Sequence, residues 1–199
     1  MNVSDTNIEG VFIIDPTVHE DSRGYFYESF NEKEFEEKTG YAFHPVQDNE
    51  SKSVKGVLRG LHFQDEPYSQ AKLVRVCKGV VFDVAVDLRP DSETLGKYAC
   101  TMLTEDNHRQ FFIPRGFAHG FVVLSDEAVF QYKCDNYYAP QAENGIAWDD
   151  ETLNILWPLS DFDVILSEKD KNRQTYNEYI SNRRKRSARK LSPGKNENS

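Results

Sequence analysis

The chain has 199 residues and a mass of 23.0 kDa, which suits one sizeable domain with its own core. Its formal net charge of −9 argues against nonspecific nucleic-acid binding by the fold, and no apolar run is long enough to span a bilayer. The polar residues 1–10 lack a signal-peptide core, and the three cysteines lack CxxC spacing, as expected of free thiols in a reducing cytoplasm. We therefore predict a cytoplasmic protein with no nucleic-acid or membrane partner.

The first forty residues predict two short strands and one helix. Residues 11–14 are apolar, and residues 23–30 carry aromatic side chains that favour strands. A helix is predicted to follow Asn31 as its N-cap, with Glu34 three residues later, as in a capping box. Gly40 is predicted to end the helix, because glycine readily adopts the left-handed conformation that closes many helices.

After residue 40 the pattern is that of many short strands separated by turn residues. The first two are residues 54–64 and 70–77. Further apolar runs lie at residues 80–88, 98–103, 110–113, 121–124 and 128–134. This spacing predicts an all-β sandwich or barrel. The sequence has no βαβ alternation and no Gly-rich phosphate loop, which argues against a Rossmann fold.

The C-terminal part is different in character. The strand pattern weakens after residue 158, and Ser167 is placed to cap a short helix. Residues 181–199 hold seven Lys/Arg and one Glu, a net charge of +6, which leaves 17 Lys/Arg and 32 Asp/Glu, a net charge of −15, for the remainder. We predict one domain over residues 1–180 and a basic, disordered tail over residues 181–199.

Two cationic side chains interrupt the predicted strand at residues 54–64. Arg59 and His62 are three positions apart in RGLHFQ, so a regular strand would point them to opposite faces. If both serve one site, the strand must therefore bend or bulge between them.

Two more residues with useful chemistry lie on neighbouring predicted strands. Lys72 shares its alternation with the apolar Val74 and Val76, which predicts that it faces inward, although a lone strand lysine usually points to solvent. His119 lies between two glycines in PRGFAHGF. Together with the two cations of RGLHFQ, these residues suggest a pocket that binds an anionic or carbonyl oxygen and moves protons.

These motifs carry a resemblance to a known family. RGLHFQ, QAKLVRV, PRGFAHGF and QYKCDNYYAP, in this order, resemble the dTDP-4-dehydrorhamnose 3,5-epimerase family from about residue 10 to residue 170. The resemblance implies a cupin-type jelly-roll β-barrel with a few short peripheral helices and a site inside the barrel. It also implies a homodimer whose subunits exchange N-terminal strands.

The resemblance implies a role for each of four side chains. His62 is the general base, since histidine titrates near neutral pH, and Asp170 pairs with it and holds its tautomer. Asp83 is a rival partner, because a carboxylate inside an apolar strand needs one. Lys72 stabilises an enolate oxygen, and Tyr132 is the proton donor. From the residues alone, a packed histidine, an outward lysine and a core tyrosine are the alternatives.

The resemblance also implies a set of substrate contacts. They are Arg23, Phe26, Glu28, Gln47, Asn49, Arg59, Lys72, His119, Tyr138, Glu143 and Lys169. Arg23 and Glu28 are implied to reach the nucleotide from the partner subunit, and Tyr138 to stack on thymine. Arginine suits such a site because it offers phosphate a planar fork. For Arg23, Glu28, Glu143 and Lys169 the alternative is solvated surface charge.

Cupins often hold a metal through a His-x-His pair and further ligands. Here Gln64 stands where the second histidine would be. His19, His44 and His108 lie in polar, loop-like contexts, so four N/O ligands are hard to assemble. We therefore predict no metal and no other cofactor.

The resemblance implies an isomerase that acts on dTDP-4-dehydro-6-deoxy-D-glucose. The C4 ketone acidifies the protons on C3 and C5, and removal and return of each through an enolate would give dTDP-4-dehydro-L-rhamnose. A close alternative is an epimerase that inverts only one carbon of a related dTDP-4-keto sugar. A noncatalytic cupin that binds a sugar nucleotide is an alternative of a different class.

Overall fold

Two β-sheets packed face to face make up most of the protein. The computed structural model describes residues 1–159 and 162–191, with the backbone alone at 187–191. The strands are β1 Asn2–Asp5, β2 Phe12–Asp15, β3 His19–Asp21, β4 Gly24–Phe26, β5 Gln47–Val54, β6 Leu58–Gln64, β7 Lys72–Lys78, β8 Val80–Asp87, β9 Tyr98–Thr104, β10 Gln110–Ile113, β11 Phe117–Val123, β12 Glu127–Cys134 and β13 Glu143–Gly145. The helices are α1 Glu32–Thr39, α2 Glu168–Lys171 and α3 Tyr176–Leu191, with a 3-10 turn at Pro140–Ala142. Within this described part, no helix is both long and apolar enough to cross a membrane.

The two sheets have six and five strands. The larger sheet has the order β1-β2-β10-β7-β12-β5, the smaller has the order β13-β6-β11-β8-β9, and β3 and β4 form a separate hairpin. The pairings within the sheets are antiparallel. Neighbouring strands such as β10 and β7 are distant in the chain, as in a double-sheet jelly roll. The predicted all-β jelly roll with a few short helices is confirmed.

The inner faces of the two sheets form the core. Val74 and Phe130 of the larger sheet pack with Val81 and Phe121 of the smaller one, and none of these side chains is more than 5% exposed. The rings of Phe121 and Phe130 stack with their centroids 4.1 Å apart. Full burial of an apolar side chain of this kind stabilises the fold by about 1.5–3 kcal/mol. The alternation along β7 places Lys72 on the same inner face as Val74.

The predicted bulge between Arg59 and His62 is confirmed. Their partners on β11 are Phe121 and His119, so two residues of β6 oppose one residue of β11 in this interval. Gly60 has a φ of +143°, and a Cβ there would lie 2.6 Å from a Cα of β11. Only glycine fits both the conformation and the close approach. Because of the extra residue, the Arg59 and His62 side chains point to the same face of β6, and both line one cavity.

Helix α1 begins and ends where the sequence predicts. Asn31 Oδ1 accepts the Glu34 backbone N–H at 3.1 Å, and Gly40 closes the helix with a φ of +69°. The Glu34 carboxylate does not complete the capping box in the expected way. It accepts a hydrogen bond from the N-terminal ammonium of Met1 at 2.8 Å instead.

The C-terminal helix α3 runs through part of the segment that was predicted to be disordered. That prediction is wrong for residues 181–191, which continue the helix across the predicted boundary at 180, and residues 192–199 lie outside the described residues. Tyr179 and Ile180 pack into the apolar core, and Arg183 donates to a backbone carbonyl of the barrel. The composition of the basic segment does not reveal these tertiary contacts, and they are what orders the helix.

We expect Arg183→Met to lower the melting temperature by several degrees. The variant loses the bond to the Leu88 carbonyl and the position of the guanidinium over the Tyr179 ring, 5.4 Å from its centroid. At a partly exposed site such contacts contribute about 1–2 kcal/mol, and about 1 kcal/mol shifts the melting temperature of a chain of this size by roughly 2–4 °C. Arg184→Met, at an exposed position of the same helix, is the matched control for thermal denaturation. Equal shifts in the two variants would contradict the assigned contacts.

Candidate active site

A histidine of β6 and an aspartate of α2 are in direct contact. Nε2 of His62 lies 2.5 Å from Oδ1 of Asp170, which confirms that the two residues pair. Ser167, the predicted cap of α2, accepts the Asp170 backbone N–H at 3.1 Å and donates its hydroxyl to Oδ2 at 2.9 Å. The Asp170 side chain is 4% exposed. These bonds and the burial hold the carboxylate in one orientation toward His62.

The protonation of this pair follows from its surroundings. Burial raises the pKa of Asp170, but hydrogen bonds from His62 and Ser167 and the charge of Arg173 outweigh this effect and hold the pKa below its ordinary value. Asp170 is therefore an anionic acceptor at neutral pH, which makes Nε2 the protonated nitrogen of the neutral ring. Nδ1 then carries the lone pair and is the nitrogen that can accept a proton.

Asp83 pairs with His119 rather than with His62. Its two carboxylate oxygens lie 3.0 and 3.1 Å from Nε2 of His119, which is on the neighbouring strand β11. Burial lowers the pKa of His119 and raises that of Asp83, because water does not reach either group to solvate its charge. His119 is opposite His62 in the pairing of β11 with β6, so two His–Asp pairs adjoin inside the barrel.

Lys72 and Tyr132 come from adjacent strands of the larger sheet. The pairing of β7 with β12 sets Tyr132 opposite Val74, and the Lys72 ammonium lies 6.0 Å from the centre of the Tyr132 ring. Burial lowers the pKa of Lys72 and raises the pKa of Tyr132. The inward direction predicted for Lys72 is confirmed, and Tyr132 is a protonated phenol at neutral pH.

One cavity, the central cleft, gathers half of the predicted site residues. Its volume is about 280 Å³, and it is lined by Gln47, His62, Gln64, Gln70, Lys72, Tyr132, Cys134, Tyr138, Glu143 and Lys169. An adjoining cavity of about 260 Å³ shares His62 with the cleft and adds Arg59 and Asp170. A third cavity, of about 390 Å³, reaches Lys72 and His119 from the side of α3. His62 and Lys72 therefore stand where the cavities meet.

Glu143 is a paired residue at the rim of the cleft rather than a solvated surface charge. Its carboxylate accepts hydrogen bonds from the Tyr138 hydroxyl at 2.7 Å, the Lys169 ammonium at 3.0 Å and the Arg173 guanidinium at 3.0 Å. These bonds, that of Tyr138 first, lower the pKa of Glu143 to about 2. The carboxylate is therefore ionised at neutral pH and joins α2 to the segment around β13.

Amide side chains order the rim beside Tyr138. Gln47 Nε2 donates to Asn49 Oδ1 at 3.0 Å, and Gln47 Oε1 accepts the Tyr138 backbone N–H at 2.9 Å. The Tyr138 side chain is 53% exposed and lines the central cleft, so its ring is accessible to a ligand there. Farther along β6, Arg59 Nε donates to the Ser53 hydroxyl at 3.2 Å, which directs the guanidinium.

Three predicted contact residues lie apart from the central cleft of their own chain. Arg23, Phe26 and Glu28 are on or next to the β3–β4 hairpin, and none of them lines the cleft. Arg23 pairs with Asp21 at 2.6 Å, and Phe26 is 71% exposed. Within one chain, the structure therefore does not bring these three residues together with His62.

Gln64, at the position of a missing metal ligand, is fully engaged by the backbone. Its Nε2 donates to the carbonyls of Tyr68 and Tyr137 at 2.6 and 3.2 Å, and its Oε1 accepts the Ala139 N–H at 2.7 Å. Among the described residues, no three His, Cys, Asp or Glu side chains are grouped as metal ligands would be. That the site works without a metal stays a prediction.

Gln70, Cys134 and Arg173 also line these cavities, although no sequence motif pointed to them. Cys134 could have been found by parity, because it is two residues after Tyr132 on one strand and shares its face. Arg173 is three residues after Asp170 but lies beyond the end of α2 at Lys171, so helical spacing gives no signal for it. Gln70 precedes β7 in a loop and carries no such signal.

Known proteins match this chain over most of its length. The family model for dTDP-4-dehydrorhamnose 3,5-epimerase matches residues 5–178. An enzyme of that name from Shigella flexneri is 55% identical over 176 residues, which are 88% of this chain and 96% of the relative. The crystal structure of such an enzyme from Elizabethkingia anophelis has a TM-score of 0.86 and 54% identity, and the match covers 89% of this chain and 97% of that one. A Legionella pneumophila dTDP-6-deoxy-D-glucose-3,5-epimerase in complex with dTDP-4-keto-L-rhamnose has a TM-score of 0.85 and 50% identity, with 88% and 93% covered. The chain belongs to the dTDP-4-dehydrorhamnose 3,5-epimerase family.

Proposed function

We propose that this protein epimerises dTDP-4-dehydro-6-deoxy-D-glucose at C3 and C5 to dTDP-4-dehydro-L-rhamnose, a step in deoxysugar biosynthesis. The observation that carries the proposal is the His62–Asp170 pair at a cleft that also holds Lys72 and Tyr132. An epimerase of this kind requires a base, an acid and a fixed positive charge near the carbonyl oxygen. The C4 ketone already acidifies the protons on C3 and C5, so their removal and return need no redox cofactor.

The reaction begins with removal of a proton from carbon. The C4 ketone acidifies the C–H bonds at C3 and C5, and Nδ1 of His62 accepts one of these protons. Asp170 stabilises the imidazolium that forms, through the Nε2–H bond. The electron pair of the broken C–H bond moves into an enolate, and the Lys72 ammonium stabilises the negative charge on its oxygen.

Inversion requires a proton to arrive on the opposite face of the sugar. Tyr132 donates its phenolic proton to the enolate carbon, and burial keeps that proton in place until then by raising the pKa of the phenol. His62 then loses a proton to solvent and Tyr132 regains one, so the cycle closes, and it is repeated at the second carbon. General acid–base catalysis of this kind contributes about 10²–10⁴-fold to the rate.

The residues around the cleft suit the rest of a nucleotide sugar. Tyr138 offers a ring face to thymine, and Arg59 offers a planar fork to the diphosphate. The remaining contacts are assigned to Gln47, Asn49, His119, Glu143 and Lys169. The ion pairs of Glu143 support this assignment, because they order the rim before a ligand arrives.

We infer a cytoplasmic homodimer with exchanged N-terminal strands, in which Arg23, Phe26 and Glu28 complete the partner's cleft. The hairpin of β3 and β4 pairs with neither large sheet, and Tyr25 and Phe26 on it are 60% and 71% exposed. An isolated two-stranded hairpin is marginally stable, so an apolar hairpin needs a surface to cover it. Besides the second subunit, the proposed binding partner is the substrate, a dTDP-4-keto-6-deoxy sugar. No binding to nucleic acid or to a membrane is proposed.

In heavy water, we expect the product to carry deuterium at both C3 and C5. Each inversion returns a proton that has exchanged with solvent, so both carbons are labelled. Label at one carbon would identify a single-carbon epimerase. Binding of the sugar nucleotide without any label would identify a noncatalytic binding protein.

In the same assay, His62→Ala is expected to abolish labelling at both carbons while circular dichroism shows a folded protein. The substitution removes the only nitrogen base assigned to the reaction, and the loss should exceed about 10³-fold. His44→Ala, at an exposed position outside the cleft, is the control. Near-normal labelling in folded His62→Ala would rule out His62 as the base.

We expect Tyr132→Phe to separate proton exchange from inversion. His62 can still remove a proton and return it to the original face, so deuterium enters the sugar while the yield of inverted product collapses. The ring remains to pack, so the melting temperature should change little. Isotope content and product stereochemistry are measured in one sample. Inversion that keeps pace with exchange would assign the acid to another group.

Exhaustive chelation is expected to leave turnover unchanged. The amide of Gln64, where a metal cupin would have a histidine, already makes hydrogen bonds with three backbone groups. Turnover is compared before and after dialysis against a strong chelator, with metal content measured in parallel. A loss that one divalent ion restores would overturn the metal-free mechanism.

A further inference from the structure

Arg173 lies between the two carboxylates of the site. Its Nη2 is 3.0 Å from Oε1 of Glu143, and its Nε is 3.5 Å from Oδ1 of Asp170. The Arg173 side chain is 13% exposed, so the guanidinium is an interior charge rather than a surface one. Interior charges act strongly on their neighbours because little water screens them.

The fold leaves a specific slot for this side chain. A Cβ built on Gly145 would lie 2.8 Å from Nε and 2.9 Å from Cδ of Arg173, so the guanidinium stem rests on the bare backbone of β13. Nε is buried and has no hydrogen-bond partner among the described residues. A buried donor left in this way is costly unless an opposite charge is close, and Asp170 supplies that charge.

Arg173 contacts the same oxygen of Asp170 that His62 contacts. Oδ1 is the oxygen that His62 Nε2 touches, so one carboxylate oxygen is shared by the imidazole and the guanidinium. We propose that Arg173 is a positioning residue that clamps Asp170 and Glu143 together, keeps Asp170 ionised and opposes premature protonation of His62. The proposal rests on the roles proposed above for His62 and Asp170.

Other charged and titratable groups face this pair from each surrounding element. They are Arg59 on β6, Lys72 on β7, Asp83 on β8 behind His119, His119 on β11, Tyr132 and Cys134 on β12, Tyr138 after β12, Glu143 on β13 and Lys169 on α2. Removing Arg173 takes away one positive charge, and it also takes away one of the cations that pair with the negative charge of Glu143. Both changes favour the imidazolium form of His62, so they act in the same direction.

The bond to Glu143 extends the clamp to the nucleotide side of the cleft. Glu143 Oε2 accepts from the Tyr138 hydroxyl, while Oε1 accepts from Arg173. The general base and the ring assigned to thymine are therefore joined through two carboxylates and one guanidinium. Lysine at position 173 could supply the charge, but a single ammonium lacks the fork that spans both acids.

The test compares Arg173→Met, Arg173→Lys and, as a matched control, Lys171→Met. Lys171 is an exposed cation two residues earlier that pairs only with the exposed Glu168 among the described residues. For each folded variant, deuterium exchange into the 4-keto sugar nucleotide is followed against pH, and dTDP affinity is measured separately. For Arg173→Met we expect kcat to fall by about 10-fold and the acidic limb of the pH–rate profile to move up by about one unit.

The two variants at position 173 separate charge from geometry. Arg173→Lys should keep the acidic limb near its original pH while kcat still falls, because the charge remains and the fork is lost. Lys171→Met should change neither quantity. The proposal is overturned if Arg173→Met leaves the acidic limb in place, whether activity is retained or lost through weaker dTDP binding alone. If Arg173→Met does not fold, the test rests on Arg173→Lys, which keeps the positive charge. An upward shift of its acidic limb by about one pH unit would then overturn the proposal.

Asp170→Asn distinguishes failure of this inference from failure of the proposed mechanism. If Asp170→Asn abolishes exchange while Arg173→Met behaves like the parent enzyme, the mechanism stands and the role of Arg173 is wrong. If Asp170→Asn exchanges normally, the roles proposed for His62 and Asp170 are wrong. The inference about Arg173 is then also wrong, because it rests on those roles.

Discussion

The contact between His62 and Asp170 is the interaction on which the rest of the site depends. It joins residues 108 positions apart, so it exists only when the segment after the barrel lies back against β6. Two isolated bridges hold that segment in place, one between Val57 and Ile165 and one between Ile146 and Gln174. The bulge at Gly60 then turns His62 to the same side as Arg59. A local irregularity in one strand and the return of the chain against β6 together form the His62–Asp170 pair.

Burial within the barrel shifts the pKa values of the other groups at the site. The same loss of water lowers the pKa of Lys72, which makes its ammonium a stronger acid, and raises the pKa of Tyr132, which keeps the phenol protonated. Asp170 is the exception, because hydrogen bonds and the Arg173 charge outweigh its burial and keep it ionised. The site therefore uses one environment to hold a neutral acid and an anionic orienting group.

The proposed site residues lie in two places, on the two packed sheets and on the separate β3–β4 hairpin. His62, Lys72 and Tyr132 project from strands of the two packed sheets, where small displacements are resisted by the core. The residues proposed to meet the nucleotide from a second subunit are on a hairpin that belongs to neither large sheet. In the proposed mechanism, one barrel positions the groups that transfer protons, and assembly of two subunits completes the nucleotide site.

The sequence by itself determined the local elements of this protein. Parity and turn chemistry within a few residues account for the Asn31 cap of α1, the inward direction of Lys72 and the need for a bulge between Arg59 and His62. They also account for most of the short strands, but they do not predict β1, β3, β5 or β13. The family resemblance added the pairing of Asp170 with His62.

Only the tertiary structure decided which acid serves which histidine, because Asp83 and Asp170 are both compatible with the pattern and the choice depends on how distant segments pack. It also decided that α3 continues to Leu191 and that Arg173 lies between Asp170 and Glu143. These outcomes depend on how distant segments of the chain pack together. Such packing changes the free energy of burying a charge or forming a helix by more than the local sequence does.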